Sequence, residues 1–143
     1  MRNDFIRKIA LFFLFMFGLN VGYGQHPSMQ RMEEENQNYL VTKIQINEEE
    51  LETSFIRLSD SMQFKILPQF SQTYYFNLEA ISKKGLLKVL FLDENGKVKL
   101  EETINTKMHY SEDYAIALEE NHNYYLVLKG KKFKGKVKLT WKQ

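Results

Sequence analysis

The sequence predicts an all-β protein, an antiparallel β-sandwich of seven to eight strands. From residue 62 onward, apolar and polar residues alternate with the period of a β-strand. Turns rich in Asp, Asn and Gly interrupt this alternation at intervals of about ten residues, as in sandwiches and barrels. The chain has no cysteine, so neither disulfides nor thiolate metal sites contribute to the fold. A closed barrel fits the same pattern and is the alternative architecture.

The N-terminal segment has the three parts of a secretory signal peptide. Basic residues open it, an unbroken apolar run occupies Ile9 to Leu19, and small residues stand at Gly22 and Gly24. The apolar run is too short for a membrane-spanning helix, which needs about 20 residues. We therefore predict that residues 1–24 are a cleaved signal peptide and that the protein is exported, to the periplasm or the extracellular space. No transmembrane span is expected after cleavage.

The mature chain is predicted to be electrically balanced overall. The signal peptide holds three of the 20 Lys and Arg residues and one of the 18 Asp and Glu residues, so equal numbers of bases and acids remain. The bases are concentrated in residues 129–143, which contain seven lysines and no acid. Residues 25–38 have almost no apolar content and are expected to be a flexible leader. Residues 39–143 are predicted to form a single domain, since the mature chain is too short for two.

The start of the domain contains one segment with two interpretations. The residues that begin at Tyr39 predict a strand with Leu40, Thr42, Ile44 and Ile46 on one side. Residues 48–58 are then compatible with one short helix, because a capping box at the start of the segment precedes apolar residues at helical spacing. The β-branched residues of the same segment favour a strand instead.

The later strands follow from alternation and from continuous apolar runs. TYYFNLEAI places Tyr74, Phe76, Leu78 and Ala80 on one face, and LLKVLFL predicts a central strand that is covered on both faces. The Asp93–Gly96 segment predicts a hairpin turn. The last strand is expected to bury Trp141 together with its other apolar residues.

The segments YYFNLEA, GLLKVLFLDENGKV, NHNYYLVLKG and GKVKLTW occur in this order within residues 62–142. In this order, and in its aromatic and turn positions, the chain resembles the pre-peptidase C-terminal domain, a small β-sandwich of bacterial exported proteins. The resemblance implies a β-sandwich fold and a non-catalytic, accessory role.

Consecutive antiparallel strands alternate in direction, so alternate loops lie at the same end of the domain. The loops 67–71, 93–96 and 119–123 are therefore expected to meet at one end, and the segments 82–85, 105–112 and 130–132 at the other. The first end offers carboxylate and amide oxygens of the kind that calcium prefers. The candidate calcium ligands are Asp93, Asn95, Glu119, Glu120 and Asn121. Solvated hairpin turns require the same residue types and are the alternative.

A row of lysines lies on one face of the last predicted strand. Lys132, Lys134, Lys136 and Lys138 alternate with other residues, so their side chains are expected to project from the same face. One interpretation is a binding surface for an anionic glycan, lipopolysaccharide or a partner protein, such as an envelope protein. The other is protection of an exposed edge strand, for which lysine is a common device.

Two tyrosines are candidates for stacking on a sugar. Tyr75 and Tyr125 are predicted to lie on the faces opposite the inward Tyr74 and Tyr124. No catalytic residues and no nucleic-acid motif are identified, and the oligomeric state is left open. The sequence thus favours an exported, non-enzymatic binding or accessory module without a cofactor. A small ligand- or calcium-binding domain that uses the acidic loop end is the alternative.

Overall fold

A computed structural model describes residues 27–32 and 39–142, and all of its regular elements are β-strands. The described residues contain eight strands, all paired antiparallel: β1 (Ser28–Met32), β2 (Tyr39–Ile46), β3 (Glu50–Leu58), β4 (Ser61–Leu67), β5 (Gln72–Leu92), β6 (Val98–Ile104), β7 (His109–Leu118) and β8 (Tyr124–Lys142). The predicted all-β antiparallel class is confirmed. The signal peptide predicted for residues 1–24 lies outside the described residues. The described part of the chain has no helix of the length and apolarity needed to cross a membrane.

Two long bent strands, β5 and β8, build both layers of the sandwich. The first half of β5 pairs with β7 and with the second half of β8, which also pairs with β3. The second half of β5 pairs with β6 and with the first half of β8, which also pairs with β4. Sheet I therefore has the order β7-β5-β8-β3-β2, and sheet II has the order β6-β5-β8-β4-β1. The two sheets are halves of one continuous sheet that folds over on itself.

A bend within each long strand creates the fold-over. In β5 the pairing with β8 shifts register on both sides of Lys84, and Gly85 adopts a φ of 77°. A Cβ atom on Gly85 would lie 2.2 Å from the carbonyl oxygen of Lys132 in the bend of β8, so only glycine fits there. The sequence predicted two strands separated by a loop at Ser82–Gly85. The structure instead shows one strand, because the backbone keeps pairing with β8 on both sides of the bend.

The core lies between the two sheets. Tyr74, Phe76 and Leu78 point inward from sheet I, as the alternation predicted, and the Phe76 ring lies 5.6 Å from that of Phe91 in sheet II. On one side of the sandwich β6 faces β7. A side-chain contact connects the two strands there, since the Tyr114 hydroxyl donates a hydrogen bond to Glu102 at 2.9 Å. The strands β6 and β7 do not pair through their backbones. The sandwich, not the barrel, is therefore the correct architecture.

The short helix considered for residues 48–58 is not present, because these residues form β3. Strand β3 lies between β2 and β8, with Leu51 and Thr53 fully buried. Asn47 does not cap a helix, since its Oδ1 accepts a hydrogen bond from the Glu49 backbone and its own N–H donates to the Glu50 carbonyl. Backbone pairing on both sides and packing of its β-branched residues on the sheet stabilise this segment more than a local helix would.

The N-terminal part of the domain differs from the prediction in two places. The leader expected at residues 25–38 contains a strand, since β1 pairs with β4 and places Met29 opposite Ile66. Backbone pairing to a sheet edge needs few apolar side chains, so the composition did not reveal it. In β2 the register shifts between Leu40 and Lys43, and Leu40 is exposed while Val41 packs against the core. This bulge reverses the faces predicted for Leu40 and Thr42.

Candidate functional site

An open groove lies on sheet I, at the end of the molecule where β5 begins and β8 ends. Its volume is about 800 Å³. Residues from β3, β5, β7, β8 and the β2–β3 turn line it: Asn47, Glu49, Glu50, Tyr75, Phe76, Asn77, Asp113, Tyr114, Ala115, Thr140, Trp141 and Lys142. The groove combines one exposed aromatic ring with several hydrogen-bonding side chains. This is the usual composition of a site for a small polar ligand.

Tyr75 is the exposed aromatic residue of the groove. Alternation along β5 buries Tyr74 completely and leaves Tyr75 half exposed, at 50%. Its neighbours across the strands are Ala115 on β7 and Lys142 on β8. Because Ala115 has a one-carbon side chain, the ring is not covered from the β7 side. The prediction that Tyr75 lies opposite the buried Tyr74 is thus consistent with the structure.

Polar side chains continue the outer face of sheet I next to Tyr75. The Asn77 amide donates a hydrogen bond to Asp113 at 2.8 Å, and the backbone register places Thr140 beside Asn77 and Glu50 beside Thr140. These four residues therefore form a row across β7, β5, β8 and β3. The row offers carboxylates, which accept hydrogen bonds, together with an amide and a hydroxyl group, which both donate and accept them.

Trp141 holds the turn that forms one wall of the groove. Its backbone N–H donates to the Glu49 carbonyl at 3.0 Å, and its indole Nε1–H donates to the Glu48 carbonyl at 2.6 Å. The indole itself is buried at 3% exposure. The turn between β2 and β3 is thereby attached to the end of β8.

Sequence reasoning identified Tyr75 but not the residues around it. Asn47, Glu50, Asn77, Asp113 and Thr140 are far apart in the chain and belong to no motif. The outward positions of Asn77, Asp113 and Thr140 were predictable from alternation within their strands, whereas Asn47 lies in a turn and Glu50 lies in the segment that had two interpretations. Their proximity depends on strand order and register, which alternation does not specify.

Tyr125, the second candidate for stacking, lies on the other sheet. It is half-buried on sheet II, where its cross-strand neighbours are Leu92 and Lys65. Its neighbour Tyr124 points into the core and packs against Phe91 at a ring distance of 6.1 Å. Tyr75 and Tyr125 therefore face away from each other and do not form one surface.

The lysine row lies on a central strand, so the edge-protection interpretation is wrong. The second half of β8 is flanked by β5 on one side and β3 on the other. Lys136 pairs with Glu52 at 2.7 Å, and Lys138 lies 3.7 Å from Glu50. The row is therefore not a uniform basic surface, because neighbouring carboxylates on β3 compensate two of its four lysines.

Glu52 is the most strongly perturbed carboxylate of this sheet. The hydrogen bond from Lys136 lowers the pKa of Glu52 from 4.5 to about 2, and Lys43, at 3.3 Å, acts in the same direction. Burial of the carboxylate opposes this shift, since it disfavours the charged form. The ionised form is thus favoured in the folded state.

We expect Glu52 to make the stability of the protein depend on pH in acid. A lowered pKa in the folded state stabilises the protein above pH 4.5, and this contribution is lost as the pH falls towards 2. The thermal unfolding midpoint of the Glu52→Gln variant should therefore change less than that of the wild type between pH 4.5 and about pH 2. Glu101→Gln is the control, since the Glu101–Lys88 pair is solvent-exposed and contributes little. A steeper dependence in Glu52→Gln than in the wild type would contradict this assignment.

The acidic loops meet at one end of the domain, as predicted. The Glu120 N–H donates to Ser71 at 2.9 Å, and the Asn123 N–H donates to Glu94 at 2.8 Å. His122 lies 3.4 Å from both Glu94 and Glu119. The three loops are thus connected to one another by hydrogen bonds and by the side-chain contacts of His122.

Three of the five candidate calcium ligands, Asp93, Asn95 and Glu119, line one cleft at this end, and Glu120 and Asn121 do not. Asp93 uses one oxygen to accept the N–H groups of Asn95 and Lys97, as an Asp at a turn commonly does. Glu119 and His122 pair with each other, while Glu120 and Asn121 are exposed. Within residues 27–32 and 39–142, no cluster of three or more His, Asp or Glu side chains is arranged to hold a metal ion. Calcium binding by this loop end stays a prediction.

Comparison with known proteins adds information on the fold. No family model and no curated protein matches the chain. Among solved structures, part of the secreted serine protease VesC from Vibrio cholerae is similar, with 12% identity and a TM-score of 0.52, over 78% of this chain and 27% of that chain. The carbohydrate binding module CBM6cm-2 from Cellvibrio mixtus lichenase 5A, in complex with cellotriose, aligns at 10% identity and a TM-score of 0.48, over 81% and 96%. CBM35 from Paenibacillus barcinonensis aligns at 9% identity and a TM-score of 0.46, over 81% and 98%. At these identities the similarities concern the fold alone, and the resemblance to pre-peptidase C-terminal domains stays a prediction.

Proposed function

We propose that this protein is an exported, non-enzymatic binding module that holds a neutral glycan in the groove on sheet I. The observation that carries the proposal is the position of Tyr75. Its ring is half exposed, and the hydrogen-bonding row of Asn77, Asp113, Thr140 and Glu50 begins two residues away on the same face. A sugar ring has an apolar face of C–H groups and a rim of hydroxyls. A site that binds it therefore needs an aromatic ring next to hydrogen-bonding side chains.

The aromatic ring supplies the apolar contact. Among the described residues, Tyr75 is the one Phe, Tyr or Trp side chain that is at least half exposed. Its place in the groove is therefore not the result of a surface that is rich in aromatic rings. A rigid ring offers a flat contact area at little conformational cost. The carboxylates and amide beside it then orient the hydroxyl groups of the ligand.

The charges around the groove favour an uncharged chain. Glu49, Glu50 and Asp113 contribute three carboxylates, and two ammonium groups oppose them, that of Lys142 and that of Lys138, which lies 3.7 Å from Glu50. This excess of negative charge opposes an acidic polysaccharide.

Replacing Tyr75 with alanine is expected to weaken glycan binding about tenfold or more, since loss of the ring contact is comparable to about 1.4 kcal/mol. The exported protein is first tested by affinity electrophoresis in gels that contain soluble neutral polysaccharides, and the retained ligand is then titrated calorimetrically. Unfolding of the variant should change little, because the Tyr75 ring is not part of the core.

Tyr125→Ala is the matched control, because it removes a tyrosine from the outer face of sheet II. Binding that is lost in Tyr125→Ala but retained in Tyr75→Ala would contradict the assignment to sheet I. Asp113→Ala tests the polar row separately, since it removes the hydrogen-bond partner of Asn77 and leaves the Tyr75 ring unchanged. Absence of retention by every neutral polysaccharide would contradict glycan binding itself.

A further inference from the structure

The bends of β5 and β8 bring together six lysines at one end of the molecule, which we call the lysine corner. Its members are Lys83, Lys84, Lys107, Lys131, Lys132 and Lys134. Lys84 and Lys134 are cross-strand neighbours, and Gly85 lies against the backbone of Lys131 and Lys132. The turn that carries Lys107 is attached there by the hydrogen bond from Thr106 to the Gly85 carbonyl at 3.0 Å.

These lysines differ from the others of the row on β8 in having no compensating acid. All six are exposed, and none forms an ion pair within the described part of the chain. Lys136 and Lys138, further along β8, are neutralised by Glu52 and Glu50. Two described acids lie near this end: the Asp60 carbonyl accepts the Gly130 N–H, and Glu79 lies 3.3 Å from His109. The structure thus divides the predicted stripe, leaving Lys132 and Lys134 in the corner.

The opposite end of the sandwich is acidic. Asp93, Glu94, Glu119 and Glu120 lie in the loops there, about 30 Å from the corner along the first half of β5. The molecule therefore has its excess positive charge at one end and its excess negative charge at the other. Such a distribution orients a protein end-on towards a negatively charged surface.

The groups exposed at the lysine corner suit a lipid surface more than a sugar chain. The aromatic residue nearest in the adjoining turn and strand, Tyr110, is half-buried, so no open ring for sugar stacking is offered by this segment. Met108 is exposed at 37% between Lys107 and His109, and gives the turn an apolar side chain. A cluster of four to eight basic residues is the size that binds anionic lipid headgroups.

We propose that the lysine corner docks the protein end-on against a membrane surface of anionic phospholipids. The groove on sheet I begins at Tyr75, close to the opposite end, and stays accessible in this orientation. The proposal does not depend on what the groove binds. It requires only that the six ammonium groups face the lipid phosphates together.

The test measures binding of the exported protein to vesicles by co-sedimentation. Vesicles of phosphatidylglycerol mixed with phosphatidylcholine should bind the protein at low salt, and vesicles of phosphatidylcholine alone should not. Binding should fall steeply with ionic strength, because exposed charges are screened beyond about 8–10 Å at physiological salt. Replacing Lys84 and Lys134 together with glutamine should lower the partition coefficient about 30-fold, as expected for the loss of two charges at an anionic surface.

Lys97→Gln combined with Lys99→Gln is the matched control, since it removes two lysines near the acidic end. The control should bind anionic vesicles as the wild type does, and both double variants should keep the wild-type unfolding midpoint. Equal loss of binding in both double variants, or binding that is insensitive to salt, would overturn the proposal. Capture by a soluble acidic polysaccharide without any binding to anionic vesicles would also overturn it and assign the corner to a polymer instead.

Discussion

Replacing Trp141 with alanine is expected to lower the free energy of unfolding by about 3–5 kcal/mol. The indole is 97% buried in the core and donates one hydrogen bond, to the Glu48 carbonyl in the turn between β2 and β3. The bond from the Trp141 backbone N–H to the Glu49 carbonyl does not depend on the side chain. The substitution removes the ring and leaves a cavity that backbone pairing on both sides of β8 prevents from closing. Urea titration followed by circular dichroism measures the effect.

Two variants separate the contributions of packing and hydrogen bonding. Trp141→Phe keeps an aromatic ring in the core but removes the donor to Glu48, so we expect a loss of about 1–2 kcal/mol. Lys142→Ala changes the adjacent exposed residue and should remain within about 0.5 kcal/mol of the wild type. A loss below about 1 kcal/mol for Trp141→Ala would mean that the inward face of the last strand has been assigned incorrectly.

Replacing Gly135 with alanine is expected to cost about 3 kcal/mol or more. An added Cβ would lie 2.0 Å from the carbonyl oxygen of Ile81 and 2.9 Å from the ring of Phe133. The first of these atoms belongs to the backbone of β5, so the clash is not relieved by rotation of a side chain. To make room for the methyl group, β5 and β8 have to move apart next to the bend. Both sheets depend on the pairing of these two strands there.

Gly96→Ala is the comparison for this effect. Gly96 lies in the β5–β6 turn with a φ of 80° and has no atom within 4 Å of an added Cβ. Its replacement should cost only the strain of the left-handed backbone, about 1–2 kcal/mol. If Gly135→Ala were no more destabilising than Gly96→Ala, the two long strands would not approach each other as closely as described.

The parts of the fold that were predicted correctly depend on local alternation. Tyr74, Phe76 and Leu78 were assigned to the core, and Tyr75 to the outer face, because side chains of a strand alternate regardless of what the strand pairs with. The meeting of the acidic loops at one end also followed from the reversal of direction between antiparallel strands. Neither inference requires knowledge of strand order.

The incorrect predictions concern features that depend on pairing. The local signals of residues 48–58 were compatible with a helix and with a strand, and the position of β3 between β2 and β8 decides for the strand. Edge protection was one of two interpretations of the lysine row, yet β8 is central in both sheets. A position in the sequence does not determine a position in a sheet.

The sequence by itself determined the fold class, the inward and outward residues of most strands, and the uneven distribution of charge along the chain. The tertiary structure alone decided that β5 and β8 bend and contribute to both sheets. It also decided that Asn77 lies beside Asp113 and Thr140, and that Lys134 lies apart from the carboxylate that pairs with Lys136. The physical reason is the range of the interactions. Alternation and turn preferences act over a few neighbouring residues, whereas sheet order and register result from packing between residues distant in the chain.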